Sequence, residues 1–180
     1  MQPEIFTWEF DLPVAAPALW AFVADTDRLN RLAGVFPVHY QYRPLDTGGS
    51  EVLGEARAAG MLLRWVERPC EWVEPEFFRF TRDYTQGPFV RLVSEVRLRP
   101  GAAAGSTHLT HTITVTPRHF LGRLLARVAI GVQTRAGFTR AYATRRGPDN
   151  PRPMSKHVQA EAGLSLTGSN ADERIRLAPS

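Results

Sequence analysis

Two residues in this chain combine a reactive type with an apolar setting, His111 and Arg135. His111 lies in the alternating run THLTHTITVT, on the same side as Leu109, Ile113 and Val115. An imidazole there can act as a general base, hydrogen-bond a ligand, or be a satisfied core histidine. Arg135 falls about 20° from Val128 on a helical wheel drawn through the last long helical segment, which predicts an inward position. A buried guanidinium must be paired. It can fork onto a carboxylate, phosphate or phenolate of a ligand, form a structural ion pair, or snorkel outward along its own stem. Arg82 and Ser94 are further polar residues on faces that otherwise read as apolar.

Other reaction chemistries find no support. His108 and His111 point to opposite faces of one strand, so they do not form a metal-ligand pair, and no metal or other cofactor is expected. Cys70 is the one cysteine and has no histidine near it in sequence. No GxSxG, P-loop or GxGxxG pattern is present. No catalytic residue is therefore assigned; if the chain is an enzyme, His111 and Arg135 are the pair to carry it.

The elements that must position these residues are mostly strands. IFTWEFDL alternates with Phe6, Trp8, Phe10 and Leu12 on one side, the period of a half-buried strand. Pro13 stops it, and APALWAFVAD followed by TDRLNRLAG reads as two short helices, with Pro17 at a helix start and Gly34 as a C-terminal stop. Six further strands are expected between residues 36 and 116, separated by turn residues and too regular a series for βαβ units. Their inward positions include Tyr40 and Tyr42, the small Gly54, Ala56 and Ala58, Trp65, then Phe78, Phe80, Arg82 and Tyr84, then Val90, Leu92, Ser94, Val96 and Leu98. Pro69 predicts an edge position or a bend in the long run MLLRWVERPCEWV.

Pro117 to Arg146 is expected to form one uninterrupted amphipathic helix, with Leu121, Leu124, Leu125, Val128, Val132, Thr139 and Tyr142 facing the sheet. That segment holds seven arginines and no acidic residue, against 15 basic and 18 acidic residues elsewhere, so the chain's formal charge of +4 is local to it. The arginines are spread around the helix, which fits a solvated, internally paired surface better than a nucleic-acid or lipid-phosphate site. After Arg146 the chain is rich in Pro, Gly, Ser and Asn without periodicity, so residues 1–146 are expected to form one domain and 147–180 a linker or tail. With 43% hydrophobic residues a real core is available. The single cysteine, the absence of a basic N-terminal stretch leading into an apolar run and the absence of a membrane-length apolar segment predict a cytoplasmic protein with no membrane span.

One strand, two short helices, six antiparallel strands and a long C-terminal helix is the element order of the helix-grip fold. Pro17, Leu19 and Trp20, the EWVEP run, Phe78, Phe80 and Gly87-Pro88 make the chain resemble the START-like superfamily, also called SRPBCC, over roughly residues 4–146. Trp20, Asp25 and Asn30 match a WxxxxDxxxxN arrangement, which is similar to the START-like domain at the N-terminus of some bacterial adenylate/guanylate cyclases. The resemblance implies an α+β helix-grip fold with a seven-stranded antiparallel curved sheet. It also implies a cavity between sheet and helix for a hydrophobic or amphipathic small molecule, and a regulated C-terminal or partner effector domain. Tyr40, Tyr42, Ala56, Trp65, Phe80, Arg82, Ser94, His111, Arg135 and Thr139 are the expected ligand contacts. The alternatives on the same fold are a polyketide cyclase or aromatase, and a protein-interaction domain with a vestigial pocket.

Overall fold

The computed structural model describes residues 1–25, 37–46, 50–58 and 60–143. The expected second short helix, Asn30 and the tail after residue 146 lie outside them. Strand β1 (Glu4–Leu12) leads into α1 (Ala16–Val23); then come β2 (His39–Pro44), β3 (Ser50–Ala58), β4 (Met61–Glu67), β5 (Glu71–Val73), β6 (Phe77–Gln86), β7 (Phe89–Pro100) and β8 (Thr107–Pro117). The strands form one sheet in the order β1-β8-β7-β6-β4-β3-β2, every pairing antiparallel, with β5 attached to β6. This is the α+β helix-grip architecture. The one difference in strand count arises at Pro69, which has no N–H for a ladder: the expected long strand ends at Glu67 and resumes as β5 after Cys70.

Alternation decides which side chains enter the core. β6 buries Phe78, Phe80, Arg82 and Tyr84, and β8 buries Leu109, His111, Ile113 and Val115 while the threonines between them face outward. β7 departs from the expected pattern at its start. A bulge between Phe89 and Arg91 places Phe89 inward and leaves Val90 exposed, because an extra residue in one strand reverses the alternation. α1 begins at a proline-containing first turn and buries Leu19, Trp20, Phe22 and Val23, with Trp20 edge-on to Phe78 at 6.3 Å. Thr107 donates to the Val14 carbonyl at 2.6 Å, tying the β1–α1 corner to β8.

The C-terminal helix is helical throughout but not uniform. α2 (Phe120–Val128) passes into π-helical turns at Ala129–Thr134 and then into α3 (Arg135–Ala143). Its start is anchored by side chains: His119 accepts from the Gly122 amide at 3.1 Å, and Arg118 donates to the carbonyls of Tyr84 and Phe89 at 2.9 and 3.2 Å. Arg123 and Arg127 both clasp Glu4 on β1.

The expected inward face of this helix is corrected. Gly122, Ala126, Ile130, Phe138, Ala141 and Tyr142 pack inward, whereas Leu121, Leu124, Val128, Val132 and Thr139 are exposed and Leu125 is half-buried. The sheet supplies the bulk: Phe6, Trp8 and Phe10 stand up from β1, so α2 approaches through the small Gly122 and Ala126, and the bulkier Ile130, Phe138 and Tyr142 enter the core further along. A Cβ on Gly122 would collide with the Pro88 carbonyl, and one on Gly131 would press on the Phe6 ring at 3.1 Å. The π-helical turns then take up extra residues, and a wheel drawn at a constant angle loses register beyond them.

Candidate functional site

On the concave face, adjacent strands bring together a charged pair that sequence reading found only in part. Glu67 on β4 and Arg82 on β6 are register partners, and both are buried, at 6% and 7% exposure. The Arg82 Nε donates to both Glu67 carboxylate oxygens at 3.1 and 3.3 Å, and its Nη2 donates to the Tyr40 hydroxyl at 3.2 Å. The Trp65 indole N–H donates to the same carboxylate at 2.6 Å. The guanidinium also lies over two rings, 4.8 Å from the Trp65 centroid and 4.7 Å from that of Phe80.

Burial opposes the charge on Arg82, yet the Glu67 carboxylate outweighs it and holds the guanidinium pKa above its ordinary value. Burial likewise pushes the Tyr84 hydroxyl up, so that phenol stays neutral. Among the described contacts the Arg82 cation is spent on Glu67, and the buried cluster is packed by the Trp65 and Phe80 rings and holds no free charge.

The small residues of β3 do not leave the open space expected of them at Gly54. The Trp65 indole from β4 lies directly over it, and any Cβ there would overlap the ring. Ala56, two residues on, is buried at 6% beside its β4 partner Leu63.

A second polar group lies under the C-terminal helix. The Ser94 hydroxyl is 2.9 Å from His111 Nε2, and the Tyr142 hydroxyl is 3.3 Å from His111 Nδ1. The imidazole stacks on Phe138 at 4.3 Å and meets the Trp8 ring edge-on at 6.0 Å. With 1% exposure and no anionic partner in this cluster, His111 has its pKa pushed down to about 3 by burial. The Ser–His contact has the form of a nucleophile–base pair, but its third member is a phenol rather than a carboxylate. The phenol itself is held neutral by burial.

The expected site residues thus divide. Tyr40, Trp65, Phe80 and Arg82 converge on one patch, with buried Ala56 on the neighbouring strand, and Ser94 and His111 join in the second group. Tyr42 does not take part: it sits on the edge strand β2 and is 51% exposed. Arg135 and Thr139 are also exposed, because the helix is rotated and its π-helical turns displace the residues beyond them. Glu67 is the residue the sequence reading passed over. Its signal was available, since it is two residues from Trp65 on the same face of β4.

Two grooves lie near the helix. One of about 630 Å³ runs between the end of β1 and α3, lined by Glu9, Phe10, Asp11, Leu12, Pro13, Thr139 and Tyr142. Another, of about 470 Å³, lies along Gly131, Val132, Arg135, Ala136, Thr139 and Arg140. Among the described residues no three His, Cys, Asp or Glu side chains come together as a metal-holding group, and no helix is long and apolar enough to cross a membrane.

No protein-family model matches the chain, and no curated protein does either. Solved structures do resemble it. The Mll3558 protein from Rhizobium loti superposes with a TM-score of 0.53 at 17% identity over 79% of this chain and 96% of that one. TTHA0849 from Thermus thermophilus gives 0.52 at 18% identity over 78% and 99%, and CV1439 from Chromobacterium violaceum 0.52 at 13% over 79% and 97%. At such identities the likeness speaks for the fold, and it agrees with the strand order above: the chain has the helix-grip fold.

Proposed function

We propose that the protein is a binding module for a hydrophobic or amphipathic small molecule, held between the concave sheet face and the C-terminal helix. The observation that carries this reading is the Tyr40–Arg82–Glu67–Trp65 cluster. A buried ion pair contributes little net stability relative to apolar replacements, so its presence among aromatic rings suits a site that must orient a ligand. Because Arg82 is already neutralised, the fitting ligand is flat and uncharged where it meets Trp65 and Phe80, with a group that exchanges a hydrogen bond with Tyr40.

The cyclase-type enzyme has no comparable support. His111 is sealed beneath Phe138 and Trp8 with a depressed pKa, and Arg135 is exposed on the same helix that covers it. A regulatory role, with residues 1–146 as the sensing domain and 147–180 as its connection to an effector, rests on the cyclase-associated resemblance at Trp20, Asp25 and Asn30.

Native mass spectrometry after mild purification tests the binding reading, with fatty acids, phospholipids and aromatic polyketides offered in turn. The expected result is a one-to-one adduct that is weakened in Glu67→Leu with Arg82→Met and in Ala56→Leu, each checked for folding by circular dichroism. No adduct with any class, or an adduct indifferent to both substitutions, refutes it.

A further inference from the structure

The rotation of the C-terminal helix leaves five large apolar side chains in water. Phe120 is 71% exposed, Leu121 68%, Leu124 54%, Val128 49% and Val132 65%. Positions 120, 124 and 128 recur every four residues, so they line one side of α2, and Val132 continues the exposed row in the π-helical turns. The opposite side is already committed to the sheet through Gly122, Ala126 and Ile130. A contiguous apolar stripe of this kind is uncommon on a protein surface that has no partner.

We propose that this outward face seats the protein on an anionic lipid bilayer, independently of any ligand bound beneath the helix. Charge selects the occupant. The segment from Pro117 to Arg146 carries seven arginines and no acidic residue; spacing alone spreads them around the helix, but the observed rotation sets exposed Arg135 and Arg140 beside the stripe at Val132. Arg123 and Arg127 are engaged by Glu4, but Arg135 and Arg140 have no acidic partner among the described residues. They border the same groove as Val132, which extends the stripe at its C-terminal end. Apolar side chains along one side with arginines beside them is the composition of helices that lie in the headgroup layer, with the apolar side among acyl chains and the cations at phosphates. A second copy of the chain is disfavoured, because a two-fold contact through this helix opposes arginine to arginine with no carboxylate on the helix to offset them.

Flotation of the 180-residue chain with vesicles tests the proposal, using phosphatidylcholine alone and phosphatidylcholine mixed with phosphatidylglycerol. The chain is expected to float with the mixed vesicles, to leave the neutral ones, and to be released by high salt. Arg135→Gln with Arg140→Gln should weaken partitioning about thirtyfold, from the usual contribution of a cation near an acidic surface. Leu124→Glu with Val128→Glu should abolish it. All four positions are exposed, so circular dichroism and melting of both variants should match the parent. Equal binding to both vesicle types, no binding, or binding unaffected by either variant overturns the proposal. So does a monomer–dimer equilibrium in analytical ultracentrifugation that Leu124→Glu with Val128→Glu abolishes while vesicles stay unbound, since the face would then serve a second copy.

Discussion

Acid should destabilise this protein through His111, and the size of the effect can be worked from its surroundings. In the native state the ring contacts Ser94, Tyr142, Phe138 and Trp8, none of which carries charge at neutral pH, and burial pushes its pKa down to about 3. In the unfolded chain the same imidazole titrates near 6.5. Between those values the unfolded state binds a proton that the native state refuses, so stability is full above about pH 6.5 and falls as the pH drops toward about 3. Taking the interval from pH 7 to pH 4, this one residue accounts for a loss of about 3 kcal/mol. Urea unfolding at pH 7, 6, 5 and 4 measures it, with His111→Gln as reference, because a glutamine can still hydrogen-bond Ser94 and Tyr142 without titrating. Asp83, whose carboxyl Arg91 and Arg68 hold below the usual range, and Glu4, lowered by Arg127 and Arg123, lose their ion pairs in acid too. They are common to both proteins, so the difference between the two curves isolates the histidine. Parallel pH dependences, or an NMR titration of His111 with a midpoint near 6.5, would refute the reasoning.

Breaking the buried pair on one side should be worse than removing both partners. Glu67→Ala leaves Arg82 buried and uncompensated and is expected to cost about 3–5 kcal/mol in urea unfolding, whereas Glu67→Leu with Arg82→Met, which leaves the Trp65 indole N–H without its acceptor, should cost about 1–3 kcal/mol. A double substitution as costly as the sum of its parts would show that the two side chains do not act as a pair. Gly54→Ala forces the Trp65 indole off its seat and should cost about 1–3 kcal/mol, with a shift in tryptophan emission as that ring moves. An unchanged spectrum and melting temperature would mean that the indole does not rest there.

Period-two alternation made most of the sheet legible. Inward Phe78, Phe80, Arg82 and Tyr84 on β6, and Leu109, His111, Ile113 and Val115 on β8, follow from it directly, since a strand has only two faces. The failures occur where local chemistry interrupts the ladder. Pro69 divided one strand into two, and the bulge after Phe89 turned Val90 outward. Half of the candidate site was readable in the same way, because Tyr40, Trp65, Phe80 and Arg82 each sit on a clear inward parity. That Arg82 meets Glu67 was not readable, since it depends on the register between β4 and β6, which are separated along the chain by β5 and its turns.

What the sequence determined by itself was the order of the described elements and the parity of nearly every strand, for these rest on neighbours in the chain. Tertiary structure decided how the helix is rotated. A helix offers several faces, and hydrophobic periodicity nominates the greasiest one. Here the sheet had already filled the space with Phe6, Trp8 and Phe10, so the side that could approach was the one bearing Gly122 and Ala126. Packing volume overruled apolar content. It sent Leu124, Val128, Val132 and Arg135 outward and left the buried polar cluster to the sheet.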